Sequence, residues 1–438
     1  MNGRHGTLPA AAHAALVASL LITAGSGIGG RLTPIVGVPL AVIGFAWAWI
    51  AARRTRRADT RSFNTVYALL SVNAVVALNV GPPFAGPRWY AVAYHIPHAM
   101  PIVLVGFVSA GSSRARAIAA WIAVAVTSAV VAITPVAVPT PRMDVWMLTQ
   151  TAARALLTGT HPYTVSAPDV YGGAYDFGYT ATVYPYMPLG LVMAAPAIAV
   201  FGDYRFALAA AFPIAVVLSR RAARRLDVPA HTVDVVTLAL AMQPWAYLVA
   251  AGWMEPAMIA CAAAFFYLSS RAPGGTASAV AFMLLPALKQ YVVAPALLFV
   301  AMYRRPRAIA IGAAVAAMTV APFLIWNWSA TTGGITAIAR QMNNPAAFRT
   351  DSTSVTALIA RIWDVRVGAW LSVVAQLAGA AAALAVLPRG VAGLLLASAI
   401  SLLASFLVGT QAFINYYAFA ASLLLFAALA LAGRPQPL

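Results

Sequence analysis

Fourteen continuous apolar runs divide the chain, at about 8–29, 33–51, 62–80, 90–110, 117–137, 184–202, 203–219, 233–252, 255–270, 276–303, 308–327, 368–387, 391–409 and 414–433. A helix needs about 20 apolar residues to cross the hydrocarbon core of a bilayer, and most of these runs reach that length. Transmembrane barrels instead alternate apolar and polar residues over segments of about ten. The pattern therefore predicts an all-α, polytopic transmembrane bundle of about 12–14 membrane helices, counting short and re-entrant ones. The run from Leu8, preceded by Arg4, resembles a signal peptide, but further spans follow at once and it is read as the first anchor.

The interruptions set the topology. Arg53, Arg54, Arg56, Arg57 and Arg61 form one basic loop; Arg114 with Arg116, Arg220 to Arg225, and Arg304 to Arg307 form three more. Cytoplasmic loops carry the excess of basic residues, which puts all four loops and both termini inside. Two runs then conflict with an odd number of crossings. The run 184–202 opens on Tyr-Pro-Tyr-Met-Pro and is broken again at Pro196, so it is expected to lie at the outer interface or to turn back. The run 276–303 is too long for one helix and is interrupted by Pro286 and Lys289-Gln290-Tyr291. Two short helices with Lys289 at their turn would return it to the side it came from. Residues 1–116 read as an N-terminal block of four membrane helices, and 117–438 as a second membrane domain with long outer loops at 138–183 and 328–367.

Composition narrows the function. The chain is 62% hydrophobic and 9% charged, against about 25% charged in soluble domains, so soluble and disordered classes are excluded. A net charge of +18 suggests nucleic acid until the arginines are seen to flank apolar runs; membrane lipids, not nucleic acid, are the expected partners. Cys261 is the only cysteine, which rules out an intramolecular disulfide. Ten acidic residues exist, and six of them (Asp144, Asp169, Asp176, Glu255, Asp351 and Asp364) fall on the outer side. That clustering points to an outward-facing site.

Asp144 begins an amphipathic segment ending at Gly159, expected to lie on the outer surface. It is either the N-cap of that helix or a base at the edge of the bilayer, and both can hold. Lys289 is the only lysine. An ionisable group in a span is functional by default, unless it snorkels to the interface. Glu255, the only glutamate, is either a helix N-terminal anion or a site residue. Arg349 is a candidate phosphate ligand, while Asp351 or Ser352 could cap a following helix. His95 and His98 share a helix face but lack an acidic neighbour and are read as polar packing. No nucleotide loop or Asp-x-Asp pair is present, so a nucleotide-sugar donor is disfavoured and neither metal nor cofactor is expected.

Asp144 through Gly159-Thr160-His161-Pro162-Tyr163, then Tyr184-Pro185-Tyr186-Met187-Pro188-Leu189, resembles the first outer loop of GT-C superfamily glycosyltransferases. Gly252-Trp253-Met254-Glu255-Pro256 looks like that superfamily's outer acidic turn, and Leu288-Lys289-Gln290-Tyr291 like its lysine turn. Asn415-Tyr416-Tyr417 resembles a late motif of actinobacterial polyprenyl-phosphate-mannose-dependent mannosyltransferases. The likeness covers about 117–433, with one departure: the acidic residue of the family follows the first span, whereas Asp144 follows the fifth apolar run.

The resemblance implies an inverting enzyme that passes a sugar, mannose, from a polyprenyl-phosphate sugar to a lipid or glycan acceptor on the outer face of the cytoplasmic membrane. Asp144 would be the base. Lys289, Gln290, Tyr291, Arg349, Glu255, His161, Tyr163 and Tyr184 would bind substrate. The alternative is a transporter or flippase of a lipid-linked sugar or small solute, with Lys289 and Glu255 as an embedded charge pair.

Overall fold

The computed structural model describes residues 7–27, 36–55, 60–78, 84, 86–110, 112–172, 182–344 and 348–434. Its helices follow the apolar runs: α1 (Ala10–Gly27), α2 (Val38–Arg54), α3 (Asn64–Leu78), α4 (Arg88–Ala110) and α5 (Ser113–Ala137) lead to α6 (Asp144–Leu157). Then come α7 (Leu189–Phe201), α8 (Arg205–Arg225), α9 (Ala230–Ala241), α10 (Trp245–Ala251), α11 (Glu255–Arg271), α12 (Thr276–Leu288) and α13 (Val293–Tyr303). The chain closes with α14 (Pro306–Trp326), α15 (Trp328–Met342), α16 (Val355–Trp363), α17 (Trp370–Val386), α18 (Val391–Val408) and α19 (Ile414–Ala432). A short antiparallel ladder joins β1 (Thr7–Pro9) to β2 (Thr60–Ser62). Among the described residues, seven helical segments are long and apolar enough to cross a membrane. The chain is an all-α polytopic membrane protein.

The short helices resolve the crossing problem. α7 has 13 residues, about 20 Å at 1.5 Å per residue, too short to span. Gly190 in its first turn sits against Met254, and Gly202 just beyond its last turn accepts hydrogen bonds from Gln150 (2.6 Å) and Arg154 (3.3 Å) of α6. Both of its ends therefore adjoin α6 or the start of α11, and it does not cross. α12 and α13 form a hairpin. Ser278 near the start of α12 bonds the Tyr303 hydroxyl at the end of α13, Tyr303 also donates to the Gly275 carbonyl (2.9 Å), and Phe282 stacks on Phe299 at 4.8 Å. The turn between them holds Lys289 in an extended conformation, followed by one turn of 3-10 helix over Gln290–Val292.

Other predicted boundaries shift. The run 233–252 is two helices, because Pro244 cannot donate to the helical ladder; the Trp245 indole N–H donates to the Leu240 carbonyl at the break (2.7 Å). The loop predicted at 328–367 contains α15 and α16. α15 follows α14 after Asn327, whose side chain caps it by accepting from the Ala330 N–H (3.0 Å).

α1 lies in the interior, packed on α2, α3 and α19. Ser19 donates to the Ala421 carbonyl (3.0 Å) and Thr23 accepts from Gln243 (2.8 Å). The N-terminal helices thus share one apolar core with the rest of the chain. The basic loops gather at one end of the bundle, termed here the arginine end. Arg220 pairs with Asp234, whose carboxylate also feels Arg116. Arg225 and Arg271 both reach the Tyr267 ring, Arg305 packs on Gly274, and Thr55 shares a cavity wall with Leu226 and Arg389. Asp144, Glu255, Lys289 and Asn415 lie at the opposite, polar end.

Candidate functional site

α6 lies across the polar end with its apolar face, including Val145, Trp146, Leu148 and Ala152, buried on the bundle. Its N-cap position is Met143, not Asp144, and no side chain caps it. Asp144 opens the first turn instead. Its Oδ1 accepts the Val145 N–H (2.8 Å) and the Tyr171 hydroxyl (3.1 Å). Burial raises the Asp144 carboxyl above its ordinary value, opposed by those two hydrogen bonds and by the charges of Arg349 and Lys289. Desolvation disfavours the charged form, and a carboxylate so raised is a stronger base.

An anchor that sequence reading left unassigned holds α6 in place. Arg205 is fully buried and ion-paired to Asp203 at 2.6 Å. Its guanidinium donates to the carbonyls of Pro135, Val138, Pro139 and Ala250 at 2.8 to 3.3 Å. Carbonyls at a helix end lack partners within the helix, so one guanidinium ties together the ends of α5 and α10. It also lies 5.3 Å from the Trp146 ring of α6. Tyr204 donates to the Gly252 carbonyl (2.6 Å). Gly252 has φ +72°, and a Cβ there would collide with the Tyr204 hydroxyl, so this approach requires glycine. The only signal in the sequence is a charged Asp-Tyr-Arg break between two apolar runs.

Beneath α6 the hairpin turn meets the start of α11. Lys289 Nζ donates to Glu255 Oε1 at 2.8 Å, and both side chains are buried. The same oxygen accepts from the Tyr291 hydroxyl (3.0 Å) and Asn415 Nδ2 (2.9 Å). The anion of Lys289 in the folded chain is therefore Glu255, the charge pair that the carrier alternative expects. Glu255 Oε2 and Asn415 Oδ1 are buried with no hydrogen-bond partner among the described residues. The Lys289 ammonium lies 5.2 to 5.8 Å from the ring centres of Tyr186, Tyr291 and Tyr416. An ammonium has three N–H donors, and one is committed to Glu255.

A groove of about 330 Å³ runs away from this cluster between α13, α15, α17 and α18. Lys289, Gln290, Tyr186 and Tyr416 line its head, and Leu297, Ile338, Val373, Leu377 and Phe406 line its walls. Tyr186 and Tyr416 also lie within the field of Asp144, so the groove head and the carboxylate face one region. Gln290 Nε2 donates to the Pro185 (2.8 Å) and Ile335 (3.1 Å) carbonyls, fixing the groove head to the loop before α7 and to α15. Arg349 chelates Asp351 (2.6 and 2.7 Å) over the Phe413 ring and reaches Asp144 electrostatically.

The remaining predicted ligands do not line the groove but include neighbours of Tyr186, whose ring meets that of Tyr184 at 5.5 Å. His161 is buried with Nε2 3.3 Å from both the Phe323 carbonyl and Thr331, its ring against Trp326. Tyr163 donates to the Tyr186 carbonyl (2.6 Å), and Tyr184 to that of Met187 (3.2 Å). The two tyrosines support the loop that carries Tyr186. Asp169 accepts the Tyr171 N–H (2.8 Å), orienting the partner of Asp144. Asp176 and the His98 side chain fall outside the described residues. Among the described residues no three potential metal-ligating side chains come together. No family model matches the chain, and no curated protein or solved structure is significantly similar to it.

Proposed function

We propose that this protein is an integral membrane glycosyltransferase that moves a sugar, mannose, from a polyprenyl-phosphate sugar to a lipid or glycan acceptor at the outer face of the cytoplasmic membrane, with inversion. The observation that carries the reading is a buried carboxylate of raised proton affinity that feels the charges of Arg349 and Lys289, with Lys289 at the head of an apolar groove. Asp144 takes the proton of the acceptor hydroxyl. The hydroxyl oxygen forms its bond to the anomeric carbon from the face opposite the phosphate, through an oxocarbenium-like state of the kind known for glycoside chemistry. The bond from that carbon to the phosphate oxygen breaks, and polyprenyl phosphate leaves with the electron pair. Charge then grows on the phosphate, where the free N–H groups of Lys289 and the Arg349 guanidinium stabilise it. The apolar groove takes the prenyl chain.

A carrier for a lipid-linked sugar or small solute is the second reading, favoured by the buried Lys289–Glu255 pair at a broken membrane helix. Purified protein in detergent supplied with labelled polyprenyl-phosphate mannose and a lipid acceptor separates the two. Transfer of label to the acceptor supports the enzyme. Uptake of the label by sealed proteoliposomes, with no covalent transfer, supports the carrier.

A further inference from the structure

The arginine end holds a second cavity, of about 340 Å³, lined by Arg221, Arg224, Arg225 and Tyr267. Arg221 precedes Arg224 by three residues and Arg225 by four, so the three side chains crowd one face of the last two turns of α8. Arg271, from the last turn of α11, comes to the same place: its guanidinium lies 5.8 Å from the Tyr267 ring centre, and that of Arg225 lies 5.9 Å from it. The ordinary explanation for such residues is a favourable helix C-terminus together with the bias of membrane loops. That explanation accounts for each arginine singly and not for three lining one cavity with a fourth against the same ring, since like charges on one helix face repel. The neighbouring carboxylates do not relieve them. Asp227 is taken by Arg434 and Asp234 by Arg220, and no described carboxylate pairs with Arg221, Arg224, Arg225 or Arg271. The Tyr267 hydroxyl likewise has no hydrogen-bond partner among the described residues.

We infer that this cavity binds a phosphate-bearing anion. Guanidinium groups match phosphate oxygens in planar, two-point fashion, and basic pockets between membrane helices suit phospholipid headgroups. The site stands at the opposite end of the bundle from Asp144 and does not depend on the reaction proposed there.

Binding is measured on the purified full-length protein, in one arm with phosphatidylglycerol in mixed micelles and in the other with inorganic pyrophosphate. Phosphatidylcholine serves as the uncharged reference. Each basic residue near an anionic surface contributes about fivefold, so the Arg224→Gln/Arg225→Gln/Arg271→Gln variant binds about a hundredfold more weakly. Arg225→Gln alone, a milder change at an exposed position, binds about fivefold more weakly. Loss confined to the phosphatidylglycerol arm identifies a lipid headgroup, and loss in the pyrophosphate arm a free phosphate ligand. Binding equal to that of phosphatidylcholine and absent for pyrophosphate, or unchanged in both variants, would overturn the inference.

Discussion

A general base must be ionised before the reaction and must hold a proton afterwards, so its neighbours matter as much as its identity. Asp144 is pushed up by burial and held down by the Tyr171 hydroxyl, the Val145 N–H and two distant cations. Removing the phenol donor with Tyr171→Phe takes away one interaction that favours the carboxylate, so its pKa rises further. A base works when ionised; the acidic limb of the pH–rate profile of kcat/KM is therefore expected to move to higher pH in Tyr171→Phe, with the alkaline limb in place. A limb that stays, or moves to lower pH, would show that the group titrating in that profile is not Asp144. Asp144 was legible in the sequence because it is a lone carboxylate just past an apolar run. Tyr171 was not, since an irregular loop brings it back from 27 positions away. His161, Tyr163 and Tyr184 enter the reading by likeness of motif; the Tyr163 and Tyr184 hydroxyls hold the loop that carries Tyr186, and His161 Nε2 faces α14 and α15.

At the scale of elements, the hairpin of α12 and α13 was readable, because an over-long apolar run broken by Pro286 and a lysine has few other ways to sit in a bilayer. Its partner Glu255 entered only as the charge pair of the carrier reading, since periodicity places Glu255 at a helix start but carries no information on which helix end faces it across 34 positions. The pairing sets the energetics of the turn. Removing one member of a buried ion pair leaves an uncompensated charge and costs about 3–5 kcal/mol, whereas replacing both is often neutral. Lys289→Met and Glu255→Gln are each expected to lower the thermal midpoint in detergent, and the double variant to recover most of the loss. Additive losses in the double variant would mean that the two groups are not coupled. The break before Trp245 and the start of α15 escaped sequence reading for a related reason: a short polar interruption looks the same whether the chain turns, kinks or caps a new helix.

For the whole molecule, the basic loops collect at one end, where Asp227 and Asp234 pair with Arg434 and Arg220, while Asp144 and Glu255 lie at the other, and α1 binds the N-terminal helices into the common core. The proposed orientation is open to direct test in a Cys261→Ala background. A cysteine at exposed Ser166 should react with an impermeant thiol reagent applied to intact cells, and one at Thr55, at the arginine end, should not; the reverse pattern would place the polar end inside. The most direct measurement is release of polyprenyl phosphate from purified polyprenyl-phosphate mannose, in step with mannose gained by a lipid acceptor, for the wild type and Asp144→Asn. The amide still accepts the Val145 and Tyr171 hydrogen bonds but takes no proton, and general bases contribute about a hundredfold or more. The wild type is expected to release one polyprenyl phosphate per mannose transferred, and folded Asp144→Asn to do so at least about a hundredfold more slowly. No coupled release by the wild type, or turnover by Asp144→Asn within about tenfold of it, would contradict the account.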